Sequence, residues 1–429
     1  MKALIVLLVS SCFVGEAGLA HQEAYHEAWG GGSKAQEPSG PIPIAVEEGH
    51  VDSSPSGLFG SFLSHRDGRL LYFSFDEVYA SKDRGRSWVL DPHLTVPPMP
   101  EETVAQEVIR LQSGKLGLMR VEKRRQAGNF TEHKLQWWIS SDEGKSWMGA
   151  FSINLHGQSG LPYRGGVLLQ MSNGRLVLPV RTMSAAHGGL APERTSRGKI
   201  KDVEFEITEH ALFPEMEAAF CYLSDDEGRS WYRSQGEILI WLDEGRGGIW
   251  PMDEPCVVEA PKGRLCLFGR NTLGRIFRSV SLDGGLRWSL PEPTALASSY
   301  SPCKVVSLPN RSELLCLWNQ VSPDEIRGGF WRSRLSCAIS KDNGESWENF
   351  QVVDLQGLGP IGRVPVAPPK MTRPLRHLEN LPTDYGEVSY PSIGFFGDEV
   401  LVRYKRRVFW PKRKNSDRMI ILPVHWFLE

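Results

Sequence analysis

The chain has 429 residues, enough by length alone for two or three domains, and its 49 Lys+Arg against 51 Asp+Glu leave a net charge of -2. That balance excludes the basic footprint of a nucleic-acid-binding protein. With 14 Trp and 43 Gly, the composition suits a turn-rich all-β protein anchored by tryptophans.

The N-terminus reads as an export signal: Lys2, the apolar run ALIVLLV, then small residues. Cleavage after Ala20 in AGLA is one reading. The other is VSSC, a lipobox-like stretch that would lipidate Cys12 and tether the chain to a membrane. The run is too short to cross a bilayer as a helix. Residues 21–40, with HEAWGGGSKAQEPSG from His26, form a flexible leader, and PIPIAVEEGH from Pro41 is a strand-like start to a domain over residues 41–429.

From there one pattern recurs, Ser-x-Asp-x-Gly-x-x-Trp. It occurs as SKDRGRSW from Ser81, SSDEGKSW from Ser140, SDDEGRSW from Ser224, SLDGGLRW from Ser281 and SKDNGESW from Ser340. An octapeptide repeated five times, mostly at 57–59 residues, marks an internal repeat. Its composition suits a hairpin turn pinned by its own side chains. Asp accepts nearby backbone N–H groups, Gly takes a positive φ without steric cost, and Trp buries a large ring. Ahead of the copies lie GRLLYFSF, GKLGLMRV, NGRLVLPV, KGRLCLFG and SELLCLWN, short apolar strands introduced by turn residues. Each repeat is therefore a four-stranded blade. The step from Ser140 to Ser224 is longer, 84 residues, because of an insertion before the third copy.

SYPSIGFFGDEVLVRYKRR from Ser389 repeats the strand–turn–strand theme without the octapeptide, and ILPVHWFLE follows it. A sixth blade, closed by both ends of the chain, removes the open edge of the ring. The KRR and PKRKNSDR stretches read as solvated loops. Of the six cysteines after Cys12, Cys256/Cys266 and Cys303/Cys316 could pair across strands, or all could be free core thiols. The eleven His show no metal-ligand spacing, so neither a metal nor a cofactor is expected.

The octapeptide resembles the Asp box of sialidases and related β-propellers. The stretch DEPCVVEAPKGRLCLFGRNTLGRIFRSVSLDGGLRW, from Asp253, is similar to the fourth blade of sialidase-like proteins of the BNR-repeat type. The resemblance implies a six-bladed, sialidase-type propeller acting as an exo-glycosidase on glycans. Sialidases hold the sugar carboxylate with arginines, whose forks bind it bidentately. Their nucleophile is a tyrosine. By position, the resemblance assigns Glu254 as the base that activates the nucleophile, Arg270 and Arg332 as carboxylate-binding arginines, and Tyr390 as the nucleophile.

Two departures stand beside these matches. The first blade, SGLFGSFLSHRDGRL, lacks the arginine that opens it in sialidases; Arg66 lies in the outer turn, and Arg164 in the third blade is the candidate replacement. The loop that carries the sialidase acid shrinks to SFDEVYAS, leaving Asp76 or Glu77. His187, Glu215 and Glu217, on the long insertion, are further acid or substrate-binding candidates. The reading is an exo-α-sialidase-like enzyme. A glycosidase for another acidic sugar and a non-catalytic glycan-binding propeller are the alternatives.

Overall fold

The computed structural model describes residues 42–52, 55, 60–100, 102–125, 131–154, 160–163, 165–182, 196–200, 203–207, 218–242, 248–271, 273–364, 383–409 and 412–429. Within them are six four-stranded antiparallel sheets. Blade 1 comprises Ser61–Ser64, Leu70–Phe73, Val78–Ser81 and Val89–Leu90. Blade 2 runs from Thr103–Arg110 through Leu116–Arg125 and Thr131–Ser140 to Met148–Ser152. Blade 3 has Leu169–Gln170, Leu176–Arg181, Ala219–Ser224 and Tyr232–Arg233. Blade 4 has Asp253–Ala260, Arg264–Arg270, Arg275–Ser281 and Glu292–Ala297, and blade 5 has Lys304–Ser307, Leu314–Trp318, Arg334–Ser340 and Glu348–Leu355. Blade 6 takes Gly386–Phe396, Glu399–Val408 and Lys414–Pro423, and its outermost strand is His50–Val51 from the other end of the chain. First strands of adjacent blades touch one another, so they line the axis.

The expected closure of the ring by both ends is therefore present, with one correction. PIPIAVEEGH is not a strand throughout: Ala45–Gly49 is a short helix, and only His50–Val51 pairs with the sheet. Glu47 N–H bonds Ile44 O at 3.0 Å and turns the chain after the prolines. A second correction concerns the basic C-terminal stretches. Residues of KRR and KNSDR are rungs of the second and third strands of blade 6, not loops.

The five octapeptides all form the turn between third and fourth strands. In the first, Ser81 Oγ donates to Asp83 Oδ1 at 2.7 Å and accepts Gly85 N–H at 2.7 Å, while Asp83 Oδ1 accepts Ser87 N–H at 2.8 Å. Equivalent bonds recur around Asp142, Asp226, Asp283 and Asp342. The glycine does more than turn the chain. A Cβ on Gly144 would lie 3.4 Å from Phe73, on Gly228 2.1 Å from Trp137, on Gly285 3.1 Å from Leu223, and on Gly344 2.4 Å from Phe268. On Gly85 it would meet Leu401 of blade 6 at 2.8 Å. Each box thus seats on the preceding blade, and it ties neighbours together as well as closing its own hairpin. The expectation that the box tryptophans are buried holds fully only for Trp347; Trp88, Trp147, Trp231 and Trp288 are half-buried, each wedged at a blade boundary. Among the described residues, Trp137 and Trp318, on the strands themselves, are buried more completely still.

Blade 6 carries no box, and its boundary with blade 5 is sealed by the two ends of the chain. Asn349 Nδ2 donates to Leu428 O at 2.6 Å, Gln351 Nε2 to Trp426 O at 3.0 Å, and Val352 N–H to Pro43 O at 3.3 Å. The six cysteines of the propeller are buried free thiols. Neither pair suggested by spacing is a disulfide; Cys256 Sγ instead lies 3.9 Å from Cys303 Sγ, between the first strands of blades 4 and 5.

Candidate active site

In an up-and-down blade, the turns after the first and third strands share one face. The boxes therefore mark that face, and the opposite rim carries the starts of the first strands and the ends of the second. The resemblance-assigned residues lie on this opposite rim. Glu254 is near the start of the first strand of blade 4, Arg270 ends its second strand, and Arg332 precedes the third strand of blade 5. Tyr390 is in the first strand of blade 6.

Glu254 and Tyr390 share an unusual backbone. Register slips by one residue between Asp253 and Cys256, and again between Ser389 and Ser392. Each slip is a β-bulge followed by a proline, Pro255 or Pro391, which has no N–H to give to the ladder. Glu254 takes φ 40° and Tyr390 φ 57°. Left-handed backbone at a non-glycine residue costs on the order of 1–3 kcal/mol and gathers at functional positions. Here it re-aims two side chains toward the axis, as bulges do.

Around these bulges lies a buried charge cluster. Arg270 donates from Nε to Asp253 Oδ2 at 2.7 Å, with Nη2 at 2.6 Å from the same oxygen, and its Nη1 lies 2.7 Å from Glu254 Oε2. Asp253 also accepts the Tyr300 hydroxyl at 2.6 Å and Arg181 Nη1. The Arg270 guanidinium lies over the Tyr300 ring, 4.2 Å from its centroid, and Arg332 lies 5.1 Å from the centroid of Tyr390. Tyr163 stacks on Tyr390 at 5.8 Å with 14° between the rings. Glu387 completes the wall, accepting Arg407 Nη1 at 2.8 Å, Tyr385 OH at 3.0 Å and Trp331 Nε1 at 3.3 Å.

The electrostatics follow from burial and pairing. Burial alone would lower the Arg270 pKa, but the Asp253 and Glu254 carboxylates raise it well above its usual value. Arg332 is raised too, against its own burial, by the oxygens of Tyr390, Glu387 and Glu254. Burial pushes the Tyr163 phenol up, and the nearby Glu254 and Tyr390 push it further. Both arginines are thus held charged although they are buried. Such guanidinium groups can hold an anion beside a phenol and a carboxylate.

The structure brings Glu254, Arg270, Arg332 and Tyr390 together. Asp76 lies on the same rim, in the turn after the second strand of blade 1, where it is exposed and accepts Ser74 Oγ at 3.3 Å. Glu77, its neighbour, accepts the Tyr79 hydroxyl. Arg66 is on the box face and pairs with Glu143 at 2.9 Å, away from the cluster. Arg164, His187, Glu215 and Glu217 lie outside the described residues. Sequence reasoning missed Asp253, Arg181, Tyr300 and Tyr163. One signal was present: Pro255 and Pro391 each sit within a first strand, where the ladder slips.

No protein of curated function matches the chain in sequence. Among solved structures, a Dyadobacter fermentans protein of unknown function superposes with a TM-score of 0.57 at 14% identity, over 88% of this chain and 98% of the other. The K499G mutant of NanB sialidase from Streptococcus pneumoniae gives 0.51 at 12% identity, over 90% and 71%. Penicillium chrysogenum α-L-arabinanase complexed with arabinobiose gives 0.51 at 11%, over 90% and 99%. These likenesses are of fold, the six-bladed propeller of sialidase type. The model of the BNR repeat-like domain matches residues 108–400, most of the propeller, and the chain belongs to that family.

Proposed function

We propose that the protein is an exported, retaining exo-glycosidase of sialidase type that releases a terminal acidic sugar from glycans. The observation that carries this reading is the meeting of buried Glu254, Arg270 and Arg332 with half-buried Tyr390 in one cluster at the axis. Tyr390 attacks the anomeric carbon while Glu254 takes the phenolic proton. The bond to the leaving oxygen breaks, and that oxygen takes a proton from an acid on the same rim, for which Asp76 is the described candidate. Water then cleaves the tyrosyl–sugar bond and the phenol is restored, which retains configuration. A phenol suits this task because a carboxylate nucleophile would be repelled by the substrate's own carboxylate. Arg332 and the remaining N–H groups of Arg270 hold that carboxylate. Export is supported by Lys2 and the ALIVLLV run.

One observation favours a second reading, a glycosidase for an acidic sugar other than sialic acid. Arg270 already spends Nε and Nη2 on Asp253, which leaves fewer donors for the substrate. Turnover of a panel of sialosides, uronides and sulfated glycans by the wild type and by Tyr390→Phe tests both readings. Loss of turnover with binding retained is the expected result. Binding unchanged by Tyr390→Phe, with nothing in the panel cleaved by the wild type, makes the protein a glycan-binding propeller.

A further inference from the structure

The first strand of blade 3 is interrupted. Leu161 lies opposite Arg181 and Leu169 opposite Val177, so a step of four residues in the second strand is matched by a step of eight in the first. The surplus residues leave the ladder, and their backbone groups need other partners.

Side chains of two other blades supply them. Glu107, in the first strand of blade 2, accepts Val167 N–H at 2.7 Å and Leu168 N–H at 2.8 Å through one carboxylate oxygen. Lys304, opening the first strand of blade 5, donates to Gly166 O. Both are buried: burial pushes the Glu107 carboxyl up and the Lys304 amine down, and the charge of each works against that shift in the other. The fit is close: a Cβ on Gly166, at φ +82°, would lie 2.9 Å from Glu107 Oε1. The other end of the bulge reaches blade 6. Tyr163 OH donates to Pro391 O at 3.0 Å, beside the ring stacked on Tyr390. A Cβ on Gly165 would lie 2.6 Å from that same Pro391 oxygen.

We propose that Glu107 and Lys304 are positioning residues that fix the bulge between Leu161 and Leu169 and, through Tyr163, the place of Tyr390 in the site. The proposal rests on the reading of Tyr390 as nucleophile. An apolar contact could not serve here, because two N–H groups and a carbonyl need an acceptor and a donor. Each charge lowers the cost of burying the other, so the device depends on the pair.

Hydrogen exchange read by mass spectrometry, on the full chain and on Glu107→Gln, Lys304→Met, the double variant and Tyr163→Phe, tests this. Exchange should quicken at residues 160–170 and also along Ser389–Ile393, while the boxes of blades 4 and 5 stay unchanged. The double variant, which leaves no lone buried charge, should recover part of the protection. Tyr163→Phe, which removes one hydroxyl, should loosen only the Tyr390 end. On whichever acidic glycoside the wild type cleaves, kcat should fall about 10–100-fold in Glu107→Gln, as for a small displacement of reacting groups, with KM changed by less than about threefold. Quickened exchange at 160–170 with Ser389–Ile393 unaffected overturns the proposal, and so does an unchanged kcat. If the wild type cleaves no acidic glycoside, the nucleophile reading fails, and the exchange pattern alone decides whether the clamp reaches Tyr390.

Discussion

Asp253→Asn is the sharpest test of the charge cluster. The substitution keeps the shape of the side chain and removes one negative charge from a position with no solvent exposure. Arg270 keeps Glu254 at 2.7 Å as a counter-ion. Arg181, itself buried, loses the carboxylate described beside it. Breaking a buried pair from one side costs about 3–5 kcal/mol, because the charge that stays loses its closest compensation in a poorly polarisable medium. That is a large part of the stability of an ordinary domain. Urea unfolding followed by tryptophan fluorescence should show a lower midpoint at constant slope. Asp253→Asn combined with Arg181→Met should lose less than the two single losses added together, since both changes remove the same ion pair. A single-variant loss below about 1 kcal/mol, or simple additivity in the double variant, refutes the claim that Asp253 neutralises Arg181.

Trp137→Ala should destabilise the fold by about 3–5 kcal/mol in the same unfolding assay, because the ring is fully buried and lies against the blade 3 box. Gly228→Ala should cost more than Gly236→Ala, although both have positive φ, since only at Gly228 would a Cβ meet a neighbour, Trp137 at 2.1 Å; equal losses would mean that the box glycines serve the turn alone. Stability should fall with acid. Asp142 is lowered to about 2, chiefly by the Ser146 hydroxyl, and Asp83 to about 2 by Ser87 and Ser81 against its own desolvation. Their contribution is complete above the unfolded value of 3.8 and is lost as pH falls through about 2. Asp142→Asn should therefore flatten the acid limb of melting temperature against pH, and an unchanged limb would remove the box carboxylates as its cause.

The blades were legible because their signals are local. A box closes its turn within eight residues, and the second strand before it is a compact apolar run, so sequence alone counted five blades and left the sixth to the ends of the chain. Glu254 and Tyr390 could be placed by resemblance. Their neighbours could not, and Asp253 shows why. In a regular strand, adjacent residues point to opposite faces, so Asp253 and Glu254 should not meet the same arginine. The bulge at Glu254 cancels that alternation, and only Pro255 hints at it. Arg181, Tyr300 and Tyr163 reach the cluster from other blades, and no local pattern encodes such contacts. PIPIAVEEGH reads as a strand-like start, yet Ala45–Gly49 is a short helix packed against blades 5 and 6, contacts that no local pattern encodes.

The pairing of His50–Val51 with the third strand of blade 6 sets the order in which the ring can form. Where blade 3 meets blade 2, Trp137 bonds Glu227 O across 90 positions. The closing contact between Trp426 and Glu48 spans 378. Loop-closure entropy grows with the logarithm of that separation, which makes the last joint about 1 kcal/mol dearer than the joint of blades 2 and 3 before any local difference is counted. Assembly should therefore run through a horseshoe of stacked blades with its two ends apart, and the axis-lining cluster would become complete only when that horseshoe shuts.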